Sequence, residues 1–194
     1  MQDLFFLQSS FIIGAIWFVI PAYLANSAPT VLGGGRPIDG RRMWRDGRRL
    51  LGDGKTWRGL ILGVLAGTLV GLLQYFIVEN ENSYEAIIRA FLISFGALLG
   101  DIIGSFFKRR KNLERGESFL FVDQLGFIIV GTLAVLIFFP FTIENVSFML
   151  YNETISFDFI QILLYLVIIL PVTFAVHVIA NLFWYLLGKQ DVPL

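Results

Sequence analysis

AIIRAFLISFGALLGDIIGSFFKRR, from Ala86 to Arg110, decides the fold class of this chain. From Ala86 to Phe107 it is almost wholly apolar. A helix rises about 1.5 Å per residue, so roughly 20 such residues cross a hydrocarbon core of about 30 Å. Arg89 sits near one end, where a long side chain can snorkel to the interface. Asp101 is different. A carboxylate inside an apolar span is expensive in lipid, so it is expected to face a polar cavity, a partner or a metal. The segment then ends in the basic run Lys108, Arg109, Arg110 and Lys111.

The rest of the chain has the same character. Of its 194 residues 56% are hydrophobic and only 15% charged, with 20 phenylalanines, more apolar content than a soluble core of this size needs. Spans are expected at Leu4 to Ala25, Trp57 to Glu79, Ala86 to Phe107, Val122 to Phe139 and Phe159 to Leu187. The first lacks the basic flank of a signal peptide and is too long for one. The last is overlong and contains Pro171, which predicts a kink or an interfacial first turn. The expectation is an all-α integral membrane protein of five transmembrane helices, residues 1–194 forming a single membrane domain. The absence of cysteine excludes disulfides, thiolate metal sites and a cysteine nucleophile. Net charge is zero, and no nucleic-acid partner is expected.

Orientation follows from the basic residues, which stay on the cytoplasmic side. Thirteen of the 15 Lys and Arg residues lie in or beside the first and third connections, residues 26–56 and 108–121. The N-terminus is therefore expected outside and the C-terminus in the cytoplasm. The outer connection, Phe141 to Asp158, has no Lys or Arg and carries two glycosylation-type triplets at Asn145 and Asn152.

Two glycine ladders, Gly59, Gly63, Gly67 and Gly71 in the second span and Gly96, Gly100 and Gly104 in the third, predict close packing of these two helices. In the first connection an Asp-Gly pair recurs every seven residues, at Asp39, Asp46 and Asp53. Asp-Gly favours tight turns, because Gly accepts positive φ and Asp bonds nearby amides. A folded cytoplasmic flap is the expectation. The preceding Gly33, Gly34 and Gly35 match neither a P-loop nor a dinucleotide fingerprint.

Asp101, Ser105 and Lys108 share one helical face. Asp123 opens the fourth span and so returns to the membrane depth of Asp101. Two carboxylates among cations suit Mg²⁺ held by oxygen ligands, with bound phosphates completing the set. Lysine and arginine would neutralise the remaining phosphate charge. Any one of the four consecutive basic residues is explained by topology alone; together with Asp101, Ser105, Asp123 and the distant Lys55 they exceed what topology requires. Glu114 and Glu117 are taken as solvated loop acids. His177 and Asn181, one turn apart in the fifth span, are expected to make a polar interhelical contact, with lining a headgroup cavity the alternative. No Ser-His-Asp arrangement is supported.

At these residues the chain resembles the CTP-dependent lipid cytidylyltransferases, and within them the archaeal CDP-archaeol synthases. Lys55-Thr56-Trp57-Arg58-Gly59 is similar to the Lys-Thr-Trp-Glu-Gly element of bacterial phosphatidate cytidylyltransferases. Gly100-Asp101 with Ser105, Lys108 and Arg109 resembles their signature, and Asp123 matches the first acid at its end. The archaeal resemblance covers Asn26 to Gly59, including APTVLGGGRPIDG from Ala28, and Gly96 to Gln124, including GESFLFVDQ from Gly116. Arg115, Gly116, Gln124 and Gly126 depart from the bacterial pattern and favour the archaeal branch.

The resemblance implies that a lipid phosphate oxygen attacks the α-phosphorus of CTP, giving CDP-lipid and pyrophosphate. It assigns Asp101 and Asp123 to Mg²⁺ and Lys55, Lys108 and Arg109 to the triphosphate, with Ser105 as a hydrogen-bonding group. Lys108 also counts among the catalytic residues. Asn26, Thr56 and the glycine-rich segment are further candidates for the nucleotide. The implied acceptor is an isoprenoid ether lipid, 2,3-bis-O-geranylgeranylglycerol phosphate, reached at the cytoplasmic face of the cell membrane. The alternatives are a CTP-dependent polyprenol kinase and a small ion-coupled transporter. A transporter would place its polar site near the midplane, whereas here the charges gather at one boundary.

Overall fold

The computed structural model describes residues 2–77, 83–113, 122–138, 147–150, 153–156 and 159–186. Five helices dominate: α1 Gln2–Leu32, α2 Trp57–Ile77, α3 Ser83–Arg110, α4 Val122–Phe138 and α5 Phe159–Leu186. Among the described residues, α1 over Ile12–Leu32, α2, and α3 over Tyr84–Arg110 are long and apolar enough to cross a membrane. α4 and α5 contribute shorter apolar stretches, Leu125–Phe138 and Ile162–Val176. α5 runs through Pro171 without interruption.

The connection between α4 and α5 is not purely a loop. Strands β1 Ser147–Leu150 and β2 Glu153–Ser156 pair antiparallel, with Ser147 opposite Ser156 and Phe148 opposite Ile155. The five helices bear out the all-α expectation; the hairpin is a small addition to it, and four-residue strands leave too short a pattern to separate from a loop in sequence. Thr154 of the second glycosylation-type triplet lies in β2, while Asn145 and Asn152 fall outside the described residues.

α1 continues seven residues beyond the expected end at Ala25, so Asn26 belongs to a helix and not to the connection. Falling hydropathy set the expected boundary, but nothing breaks the helix before Gly33, whose amide still bonds the Pro29 carbonyl at 2.9 Å. Two prolines lie inside α1. Pro21 has no amide for the carbonyl four residues back, that of Trp17. The side chain of Gln74 from α2 supplies the missing donor, its Nε2 lying 2.8 Å from the Trp17 oxygen.

α2 and α3 pack closely, as expected, but through the α2 ladder alone. Gly63 of α2 lies against the Ala25 carbonyl and Leu98, Gly67 against Pro21 and Ser94, and Gly71 against Ala90. α2 thus seats α1 and the face of α3 that carries Ala90, Ser94 and Leu98. The α3 ladder turns the other way, with Gly96 against Gly131 and Gly100 against Gly126 of α4. Spacing by four identifies a close-packed face but not the helix that occupies it. The main core lies beyond, where Phe18, Ile93, Phe127, Ile128, Ile162 and Tyr165 of four helices meet.

Candidate functional site

The ends of α1, α2 and α3 that flank the basic connections converge at one end of the bundle. Residues 33–56 fold over them as a compact flap. Its two ends are tied together: Ile38 N bonds Lys55 O at 2.8 Å and Trp57 N bonds Arg36 O at 3.2 Å.

Asp39 organises the flap. Its carboxylate is fully removed from solvent. It accepts the amides of Arg41 at 2.9 Å, Leu51 at 3.1 Å and Gly52 at 3.2 Å, and the forked Arg49 guanidinium at 2.9 and 3.2 Å. Burial by itself would raise the pKa of this group. The Arg49 guanidinium and three amides override burial and hold the carboxyl at about 2. The same pairing raises the Arg49 pKa. Asp46 closes its expected turn through Arg48 N at 3.1 Å, and Gly40 and Gly47 take the positive φ the Asp-Gly pairs predicted. The third pair behaves differently, for Asp53 binds Arg49 Nη1 at 3.0 Å.

The flap is fastened to the end of α3. Arg110 donates to Arg49 O at 2.6 Å and pairs with Asp46 at 3.2 Å. Arg109 donates to Leu113 O at 2.6 Å and lies within 3.5 Å of Leu51 O. Gly52 is needed here on two counts: its φ is +97°, and a Cβ would stand 3.1 Å from the Arg109 guanidinium. α3 itself ends with Asn112 at φ 66° and Leu113 N bonding Lys108 O at 3.1 Å, a Schellman-type stop.

Between flap and helix ends lies an open cleft of about 740 Å³. Asn26, Lys55, Thr56, Asp101, Ser105, Lys108 and Arg109 all line it, so seven of the eight residues singled out from sequence stand around one space. Lys55 Nζ and Asp101 Oδ2 pair at 2.5 Å across the cleft floor, joining the flap to α3. Ser105 donates its hydroxyl to the Asp101 carbonyl at 3.0 Å, which leaves only its lone pairs for the cleft. Thr56 caps α2, its Oγ1 accepting the Gly59 amide at 3.1 Å, and so contributes chiefly by aiming that helix N-terminus. Arg109 shares its guanidinium between two carbonyls and the cleft.

Asp123 is the eighth residue. It is the second residue of α4, and its side chain lies outside those described. Backbone packing locates it: a Cβ on Gly100 would stand 2.5 Å from the Gly126 carbonyl, and Gly126 is one turn after Asp123. The glycine contacts run antiparallel, Gly100 to Gly126 and Gly96 to Gly131, so the Asp123 backbone stands at the Asp101 end of α3. Glu114 and Glu117, and the side chains of His177 and Asn181, lie outside what is described.

Sequence reasoning missed the wall residues Pro29 and Thr30, because it ended α1 too early, and Leu51, Asp53 and Gly54 of the flap, which no pattern marks as facing the cleft. It also missed Asp39 as the organiser, since the Asp-Gly repeat presents three equivalent aspartates. Beside the cleft, a small groove lined by Pro29, Ile38, Leu60, Leu98 and Ile102 reaches the same Lys55 and Asp101. One pair thus stands where a polar space meets an apolar one.

The family model described as CarS-like CDP-archaeol synthase matches residues 8–194. The chain belongs to the CDP-archaeol synthase family. The CDP-archaeol synthase of Thermococcus kodakarensis is 50% identical over 186 residues, 95% of this chain and 97% of that protein. That of Methanocaldococcus jannaschii is 38% identical over 187 residues, 92% of this chain and 94% of its own length. A solved structure, described as an intramembrane enzyme for archaeal membrane lipids biosynthesis, aligns with a TM-score of 0.68 at 32% identity, covering 88% of this chain and 94% of that one. Every cleft residue named above falls within the region matched by the CDP-archaeol synthase family.

Proposed function

We propose that the chain transfers the cytidylyl group of CTP to the phosphate of an archaeal ether lipid, forming CDP-archaeol and pyrophosphate at the cytoplasmic face of the cell membrane. The observation that carries this is the Lys55–Asp101 pair, at the head of both a cationic cleft and an apolar groove. A volume of about 740 Å³ is in the range of small-ligand sites, roughly 300–1,000 Å³. The triphosphate lies among Lys55, Lys108 and Arg109, and the lipid phosphate reaches them sideways from the bilayer. A lipid phosphate oxygen attacks the α-phosphorus of CTP. The new bond forms as the α-phosphorus loses its bridging oxygen to pyrophosphate, whose charge the same three cations neutralise. Positioning and charge neutralisation supply the rate.

Mg²⁺ fits the donor set. No cluster of three or more His, Cys, Asp or Glu side chains capable of holding a metal occurs among the described residues. Mg²⁺ does not require one, since one or two carboxylates with substrate phosphates and water usually hold it. Asp101 has one oxygen on Lys55 and the other without a hydrogen bond among the described residues, and Asp123 is the second residue of the adjoining helix α4. Those two would hold the ion, which when bound would neutralise triphosphate charge.

All five helices cross the bilayer in this proposal, with the N-terminus outside and the C-terminus in the cytoplasm. What supports it is the gathering of the basic connections at one end of the bundle. In this cysteine-free chain, Arg45→Cys should react with an impermeant maleimide only when the cytoplasmic face is accessible. Reaction from the outside would refute the orientation.

The function is tested with purified protein, α-labelled CTP, Mg²⁺ and 2,3-bis-O-geranylgeranylglycerol phosphate. Label should enter the lipid fraction as pyrophosphate is released. Label retained on CDP with phosphate on the lipid would point to a kinase, and absence of turnover with any lipid phosphate would overturn the proposal.

A further inference from the structure

The outer edge of the flap takes no part in the cleft. Here the chain folds back on itself, Met43 bridging Arg49 and Trp44 N bonding Arg48 O at 2.7 Å. The tip carries two large apolar side chains, Met43 at 62% and Trp44 at 44% exposure. Trp44 is held firmly, edge-on to Phe106 of α3 with ring centroids 5.5 Å apart, and the Arg110 guanidinium lies over both rings. Phe106 meets Phe107, and Phe107 and Ile103 are exposed on the part of α3 that carries the span. Trp44 is therefore continuous with the lipid-facing side of α3 at its basic end.

Charge surrounds the same tip. Arg41, Arg42 and Arg45 are exposed and make no ion pair among the described residues. Arg41 holds φ at 64°, an unfavourable value for a residue with a Cβ, and its amide is fixed there by Asp39. The strained turn is thus pinned by the carboxylate that organises the whole flap.

We infer that residues 41–45 form an interfacial anchor. Met43 and Trp44 lie in the headgroup layer of the leaflet α3 enters, and Arg41, Arg42 and Arg45 bind anionic headgroups there, holding the flap over the cleft. Tryptophan concentrates at this depth of a bilayer, and each basic residue near an anionic surface strengthens association about fivefold. The inference rests on α3 spanning the membrane as proposed above.

The absence of cysteine allows single nitroxide labels at Met43→Cys and, as a reference on α3, at Ile103→Cys. Power saturation is measured in neutral phosphatidylcholine vesicles with and without phosphatidylglycerol, which is not a substrate. The label at 43 should sit at headgroup depth in the anionic vesicles. The ratio of anchored to free flap should fall by on the order of a hundredfold when Arg41, Arg42 and Arg45 are all changed to Gln. An aqueous label at 43 beside a lipid-embedded label at 103 would overturn the anchor alone. Water at both positions would overturn the spanning of α3 and the anchor with it. Equal depth in the glutamine variant would also overturn the proposal, because charge would then play no part. Quenching of Trp44 by bromine-labelled lipid, taken as the difference from Trp44→Phe, repeats the measurement without a label.

Discussion

Gly100→Ala tests how the site is held. A methyl group there would stand 2.5 Å from the Gly126 carbonyl oxygen and 2.9 Å from Phe127 Cα, backbone atoms of α4 that have no rotamer to change. Reaching an ordinary contact of 3.4 Å requires α3 and α4 to part by about 0.9 Å. Overpacking of this kind costs about 1–3 kcal/mol. The displaced residue adjoins Asp101, and a misplacement near 1 Å at a reacting centre costs on the order of a hundredfold in rate. The expectation is a lowered thermal midpoint in detergent and a loss of CDP-lipid formation from α-labelled CTP larger than the unfolded fraction explains. Gly126→Ala is the control. Its added methyl would meet the Gly100 carbonyl at 3.8 Å, an ordinary contact, so stability should stay within about 0.5 kcal/mol and activity should be retained. Wild-type activity and stability in Gly100→Ala, or equal damage in both variants, would refute the reasoning.

Other consequences follow from single contacts. Asp101→Asn keeps the side-chain volume but leaves Lys55 without its charge partner; turnover should fall on the order of a hundredfold while the thermal midpoint moves little, and normal activity across Mg²⁺ concentrations would remove Asp101 from the metal site. Asp39 has a folded pKa of about 2, below the usual carboxylate value of about 3.9, so its contribution is present above about pH 4 and is lost as pH falls toward 2. That shift amounts to about 2–3 kcal/mol. Hydrogen exchange of flap amides should therefore rise with acid beyond its intrinsic rate in the wild type, and Asp39→Asn should show the looser flap already at pH 7. Gln74→Leu strands the Trp17 carbonyl at a cost of about 1–3 kcal/mol. Adding Pro21→Ala, which restores an amide to that carbonyl, should recover most of the loss in thermal unfolding, and simple additivity of the two changes would show that the carbonyl is not the cause.

What could be foreseen divides along periodicity. Helices write their burial every three to four residues and their length in hydropathy, so α2 could be located to within two residues from composition alone. Asp101, Ser105 and Lys108 were legible for the same reason, as polar residues recurring on one face of an apolar span. Lys55 was legible as one of the cations exceeding what topology requires, and its resemblance to a known element singled it out further, because nothing in residues 33–56 announces which cation reaches α3. The flap is held by non-repeating contacts: a single carboxylate gathers amides at 41, 51 and 52 and one guanidinium, and no local pattern distinguishes Asp39 from Asp46 or Asp53. The glycine ladders show a narrower failure: the packing of the α2 ladder on α3 was foreseen, but α4 as the partner of the α3 ladder was not, since a small-residue face admits any backbone that approaches. Both failures bear on one point. Asp101 and Lys55 lie 46 residues apart in sequence, and they meet only because Gly63 and Gly67 let α2 seat α1 and α3 closely while Asp39 folds the flap back over them. Changes at Gly67 or Asp39, which touch no substrate, should therefore act on the reaction through the same pair.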